Sequence, residues 1–235
     1  MSSSVIVVAA DDFAATAAAC IANLMHAAIE ARGECSLALA GGRTPAPVFH
    51  HLVGRAIRWP RVAVYFSDER AVPPDHPDSN FGMARRELLD RVPVPPGRIH
   101  RMEAERDDRT QAAEEYDRLL PGRLDILLLG VGFDGHTASL FPGSAALSER
   151  KRRVVAVPAP PPPIEPAVSR MTITPLVIEA ARAVVVLVTG AEKAALVARI
   201  LEGPADPLEL PAQFAGRGTW ILDRAAAGQL QRGGR

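Results

Sequence analysis

The chain has 235 residues, 48% of them hydrophobic and 23% charged, enough for one substantial core in a single α/β domain spanning residues 1–235. Its 27 basic and 27 acidic residues cancel, which excludes a broad nucleic-acid-binding surface but leaves room for a local basic pocket. The N-terminus lacks the basic flank of a secretory signal, Asp11-Asp12 interrupts its apolar run, and no uncharged stretch is long enough to span a bilayer; a soluble, cytoplasmic protein with no membrane partner is expected.

Residues 5–8 read as a first strand. Asp11 or Asp12 is placed to cap a helix running to about Arg32, with Gly33 as its stop. Residues 36–40 form a short strand ending at Gly41-Gly42, and Pro45 suits the first turn of a helix running to about Val53. A strand over 62–66 leads into Ser67-Asp-Glu-Arg70, a Pro- and Asp-rich loop, and a helix over about 79–91. A polar helix over 108–120 precedes a buried strand at 126–129, after which a short helical stretch begins near Thr137. A strand over 154–157 is followed by a stiff Pro-rich loop, 158–166, within the same domain. A strand over 184–188, a helix over 191–201 and a last strand over 219–222 complete the pattern, with a mobile tail at 231–235. Short apolar strands alternating with helices predict a three-layer fold, a mostly parallel sheet with helices on both faces. Cys20 and Cys35 fall in core elements and read as buried free thiols.

The segment most charged with chemistry is 124–143, where a buried strand stops at glycines and Asp134 and His136 follow at once. Ionisable groups at the carboxyl end of a buried strand stand where open α/β sheets bind ligands. Histidine titrates near neutrality, so His136 is suited to take a proton from water. Asp134 either positions His136 or shapes the turn. Gly130-Val-Gly-Phe-Asp-Gly135 matches the dinucleotide fingerprint, but Asp134 would face a pyrophosphate and the next strand ends without an acid for a ribose. The fold is therefore Rossmann-like without a dinucleotide site. No Cys/His cluster accompanies His136, so no metal is expected, and His50-His51 reads as a solvated pair on a helix.

Gly41-Gly42 lets backbone approach a ligand, and the helix after it favours an anion; Thr44 either caps that helix or binds the anion. Asp68, Glu69 and Arg70 follow directly on a strand, where some belong to surface ion pairs and some to a site. Asn80 either donates its amide to a ligand hydroxyl or caps beside Ser79. Only Lys151 and Lys193 among the 27 basic residues are lysine. Lys151 sits in a polar surface run, whereas Lys193 falls on the first turn of a helix, where a cation opposes the helix dipole and a bound anion compensates. Pairing with Glu192 or Glu202 is the alternative. Arg170 is a second candidate for an anion. Ser139 lacks the G-x-S-x-G elbow of a nucleophile.

Six segments in order, Ala40-Gly-Gly-Arg-Thr-Pro45, Phe66-Ser-Asp-Glu-Arg-Ala-Val72, Asp78-Ser-Asn80, residues 129–142, Arg170-Met-Thr-Ile-Thr174 and Gly190-Ala-Glu-Lys193, resemble the 6-phosphogluconolactonase family. The related glucosamine-6-phosphate deaminases share the Gly-Gly turn, an Asp-Glu pair and Asp-Gly-His. They carry Glu where this chain has Phe141, and an aromatic residue where it has Arg70. The resemblance implies hydrolysis of a 6-phosphorylated sugar lactone without cofactor or metal. It implies His136 as general base, with Asp134 and Asp68 as catalytic partners. Gly41, Gly42, Thr44, Arg70, Asn80, Arg170 and Lys193 are the implied substrate ligands. A deaminase or isomerase of amino-sugar phosphates, or a non-catalytic sugar-phosphate-binding protein, is the competing expectation. A monomer or weak dimer is expected.

Overall fold

A computed structural model describes residues 4–231; the tail expected to be mobile lies, beyond Gln231, outside the described residues. In chain order the strands and helices are β1 (Ser4–Val8), α1 (Ala10–Arg32), β2 (Cys35–Leu39), α2 (Pro45–Val53), β3 (Val62–Phe66), β4 (Asp68–Arg70), α3 (Asn80–Glu87), α4 (Arg109–Leu119), β5 (Ile126–Gly130), β6 (Val154–Val157), β7 (Arg170–Ile173), α5 (Pro175–Ala180), β8 (Ala183–Val188), α6 (Ala194–Glu202) and β9 (Thr219–Asp223). Six of the strands form one parallel sheet in the order β1-β9-β8-β5-β2-β3. Helices pack around it, giving the expected α/β architecture.

The central strands show why. β2 is buried at every position, and β5 and β8 are near-continuous runs of Ile, Leu and Val. Strands covered on both faces have no polar alternation. α1 is rich in alanine, the best helix former, and its Phe13, Ala17, Ile21, Met25 and Ile29 recur at helical spacing and are buried. Gly33 ends it at φ 78°, with its N–H donating to the Ile29 carbonyl at 2.8 Å. The aspartates do not cap it. Ala9 is the N-cap, and Asp11 and Asp12 lie in the first turn, where negative charge suits the dipole.

By length and composition α1 is apolar enough to cross a membrane, contrary to the expectation from sequence. Here its apolar face packs against α2 and the strands β2 and β9. Both cysteines are free; Cys35 is fully buried but Cys20 only half-buried. Burial, helped by Asp125, pushes the Cys35 thiol up to about 12. Native protein at pH 8 should therefore leave Cys35 unlabelled by a thiol-specific disulfide reagent, with reaction appearing only on unfolding.

Three features depart from the sequence reading. The first is a second sheet, antiparallel, in the order β4-β7-β6. β4 and β7 are three and four residues long and partly polar, so neither carries a strand signature. Together they bring Asp68 opposite Thr172 and Arg70 opposite Arg170. Second, no helix begins near Thr137. The Leu140 N–H donates to the Thr137 carbonyl at 3.0 Å, closing a turn with Ala138 at φ 49°. The next helical turn is a 3-10 turn at Ala145–Ser148. Third, the helix expected over 79–91 ends at Glu87 with a separate 3-10 turn at Leu89–Arg91, and α6 follows a 3-10 turn at Ala191–Lys193. Both sheets contribute to one continuous hydrophobic core.

From β2 the chain passes to β3 on one side; from β5, its neighbour on the other, the path leads to β8. Connections leaving adjacent strands in opposite directions open a crevice at their carboxyl ends.

Candidate active site

That crevice is lined by the loop after β2, the segment after β3, the loop after β5 and the turn after β8. It gathers Gly41, Gly42, Thr44, Asp68, Arg70, His136, Arg170 and Lys193 along one cleft. Asp134 stands behind His136, and Asn80 lines the adjoining groove, which shares Gly42 and Arg70 with the cleft.

The loop after β5 is built around the imidazole. Gly132 donates its N–H to the His136 carbonyl at 2.9 Å. A Cβ on Gly132 would lie 2.1 Å from the imidazole Cε1, so only glycine lets the ring fold back over the loop. These glycines close a turn and open no helix, unlike those of a dinucleotide fingerprint. Asp134 Oδ1 lies 2.5 Å from His136 Nδ1 and also accepts the His136 N–H at 3.1 Å. Burial raises the Asp134 pKa, but the hydrogen bonds and charge of His136 outweigh it and hold the carboxyl below its ordinary value. An ionised carboxylate only accepts, so the ring donates to Asp134 from Nδ1, and Nε2 is the nitrogen not engaged by Asp134. On its other side the imidazole meets the Phe141 ring at a centroid distance of 4.8 Å.

Asp68 is buried in β4. Its Oδ2 accepts from the Ser139 hydroxyl at 2.6 Å and its Oδ1 from Asn80 Nδ2 at 3.0 Å. Asn80 Nδ2 also donates to the Asp68 carbonyl at 2.9 Å, so its NH₂ group is engaged by Asp68, while its Oδ1 is buried without a partner. The cap of α3 is Ser79, whose hydroxyl accepts the Gly82 N–H at 3.0 Å. Gly41 makes room for Asn80: a Cβ there would lie 1.8 Å from Asn80 Oδ1. Gly42 has open space around it and a φ of 96°, so its need for glycine is in the backbone. Thr44 stands at the N-cap of α2 without a side-chain cap bond; its hydroxyl lies 3.1 Å from that of Thr189.

Glu69, weighed as one side of a surface ion pair, is 3% exposed and fastens α3 to β4. It accepts from the N–H groups of Arg70, Asn80 and Phe81 and from the Ser79 hydroxyl, at 2.7–3.1 Å. Burial pushes its pKa up, against the lowering by those N–H groups. Glu69→Gln turns an acceptor into a donor facing donors and should cost about 1–3 kcal/mol of stability, read as a lower urea midpoint.

Among the described residues four cations line the cleft with Asp68: Arg43, Arg70, Arg170 and Lys193. Arg70 Nη1 donates to the Asp78 carbonyl at 2.6 Å, and Arg170 Nη2 to that of Pro166 at 3.0 Å. The Arg170 guanidinium lies 5.4 Å from the Phe141 centroid, and the Nε of each arginine is buried without a partner. Lys193 donates from Nζ to the Val131 carbonyl at 2.6 Å, in the His136 loop, and Glu192 acts on it through charge. Burial lowers its pKa; Glu192 opposes this and Arg43 adds to it. A cleft with four cations and one carboxylate is arranged for an anionic ligand. Arg43 went unassigned from sequence, being one arginine among many; Ser139, read there only as lacking a nucleophile's elbow, and Phe141, read only as a mark against the deaminases, gain their contacts with Asp68 and Arg170 once β4 and β7 are in place. Among the described residues no group of three or more His, Cys, Asp and Glu is arranged to hold a metal ion.

The sequence pattern of the glucosamine-6-phosphate isomerases/6-phosphogluconolactonase family matches residues 9–222. The chain belongs to this family. Within it, the chain is 38% identical to a 6-phosphogluconolactonase of Synechocystis over 225 residues, covering 90% of this chain and 91% of the relative. The structure of the 6-phosphogluconolactonase from Trypanosoma brucei superposes with a TM-score of 0.86 at 32% identity, covering 97% and 98% of the two chains. A monomeric glucosamine-6-phosphate deaminase superposes with a TM-score of 0.82 at 22% identity, covering 96% and 99%. That last likeness establishes the shared fold alone, so the branch of the family is decided by residues in the cleft.

Proposed function

We propose that this protein hydrolyses 6-phospho-D-glucono-1,5-lactone to 6-phospho-D-gluconate in the oxidative pentose phosphate pathway. The observation that carries this reading is a His136 imidazole tied by Nδ1 to an ionised Asp134 and placed on a cleft rich in cations. His136 Nε2 takes a proton from water as the water attacks the lactone carbonyl. The tetrahedral intermediate collapses with the ring oxygen as leaving group, and that oxygen takes up a proton. Asp134 holds the ring and stabilises its charged form. Asp68 orients the water or the sugar hydroxyls, held by Ser139 and Asn80. Gly41, Gly42 and Thr44 border the substrate, and Arg70, Arg170 and Lys193 face its phosphate. The reaction is redox-neutral, so no redox cofactor enters it, and no metal is part of the scheme. The protein acts in the cytoplasm as a monomer or weak dimer on a small-molecule substrate.

Phe141 weighs against amino-sugar chemistry. Its ring occupies the side of His136 on which the deaminase pattern, as the resemblance implies, places a carboxylate. The decisive experiment generates the lactone with glucose-6-phosphate dehydrogenase and follows proton release at low temperature, where spontaneous hydrolysis is slow. Acceleration in proportion to enzyme supports the reading. Release of ammonia from glucosamine 6-phosphate, or binding of 6-phosphogluconate without lactone turnover, overturns it.

A further inference from the structure

Ser139 is fully buried and lies three residues beyond His136 on the same loop. Its backbone N–H donates to Thr172 Oγ1 at 3.1 Å and its hydroxyl donates to Asp68 Oδ2 at 2.6 Å. The Thr172 hydroxyl donates to the Ile173 carbonyl at 3.0 Å, which leaves its oxygen free to accept. Asp68 and Thr172 are cross-strand partners in β4 and β7. One serine from the loop after β5 thus grips two of the three strands of the second sheet, at the pair bearing the cleft's carboxylate.

The backbone is bent to make this possible. Ala138 has φ 49°, a left-handed conformation that an L residue other than glycine adopts at a cost. Among the described residues no other non-glycine has positive φ. The turn is closed by Leu140 N–H to the Thr137 carbonyl and anchored by the Thr137 hydroxyl on the Gly130 carbonyl at 2.8 Å. Ala138 lines the cleft, and the residue after it points inward to Asp68. Held strain at such a position is repaid by a geometry the site requires.

We propose that Ser139 is a positioning residue whose hydroxyl sets the Asp68 carboxylate relative to His136 by tying the loop after β5 to β4. With Asn80 on Oδ1 and Ser139 on Oδ2, rotation of the carboxylate breaks both bonds. The serine is not a nucleophile, because it is enclosed and it is Ala138, not Ser139, that faces the cleft. The inference rests on the reading of Asp68 as the group that orients water or substrate.

The test is a cycle of Ser139→Ala, Asp68→Asn and the double variant, with kcat and KM on the phosphorylated lactone and a thermal melt for each. Ser139→Ala should lower kcat roughly tenfold, with KM nearly unchanged. Asp68→Asn should lower it further, and adding Ser139→Ala to Asp68→Asn should change nothing more, since the serine acts through the carboxylate. Ser139→Cys, with a similar volume and a weaker donor, should fall between wild type and Ser139→Ala, and it replaces Ser139→Ala in the cycle if the alanine variant does not fold. Full activity of Ser139→Ala, or losses that multiply in the double variant, overturns the inference while leaving Asp68 in the site. Full activity of Asp68→Asn instead removes the reading of Asp68 on which the inference stands.

Discussion

His136→Ala lowers kcat for the phosphorylated lactone by roughly 10²–10⁴, the usual contribution of a positioned general base. KM should move little, because proton transfer belongs to the transition state and not to the bound ground state. The melt should stay close to that of the wild type. The ring is a partly exposed side chain on a loop, and what it loses is one contact with Asp134 and one with Phe141. Asp134→Asn should lower kcat as well. An amide is able to present its NH₂ to Nδ1, which shifts the ring proton to Nε2 and removes the basic nitrogen from the cleft. The pair of variants separates two roles for the loop. If it only shapes the cleft, His136→Ala raises KM and leaves kcat standing. A fully active His136→Ala enzyme removes this imidazole from the mechanism. The assay must be read against uncatalysed opening of the lactone, which sets a floor below which no loss is visible.

The sequence made the parallel sheet legible and the second sheet nearly invisible, for one physical reason. β2, β5 and β8 are buried on both faces, so their composition alone marks them. β4 and β7 are stabilised by pairing with each other and by the cleft residues they carry, and Asp68-Glu-Arg70 looks like any charged turn until Thr172 is placed opposite Asp68. The site residues on loops after buried strands were found for the same reason: a strand that ends at glycines announces a crevice. Bonds between segments far apart in sequence were not readable. The contact of Ser139 with Asp68 spans 71 positions, and the Asn80 NH₂ group donates to the Asp68 carboxylate and carbonyl. The turn at Ala138 reads as helix from sequence because Thr, Ala, Ser and Leu carry no breaker. The bent turn carries Ser139 to Thr172 and Asp68, tertiary contacts that local propensity does not encode.

Lys193→Ala is expected to divide phosphorylated from unphosphorylated substrate more sharply than any other single change. The ammonium has three donors, one of them fixed on the Val131 carbonyl, leaving two for a ligand oxygen. A hydrogen bond to a charged group is worth about 1.5–3 kcal/mol, which corresponds to a loss of roughly 10- to 150-fold in kcat/KM for the 6-phospho lactone. Glucono-1,5-lactone, which lacks the phosphate, should lose little. Stability works in both directions and changes little. The Nζ–Val131 bond is lost, but so is a cation at the N-terminal turn before α6, where the dipole disfavours it, and whose burial already lowers its pKa. Lys193→Arg should restore only part of the discrimination, because a planar fork cannot both follow the ammonium to Val131 and keep its place at the ligand. Equal losses on both lactones would mean that Lys193 acts by holding Val131, and through it the His136 loop. The phosphate would then belong to Arg43, Arg70 and Arg170.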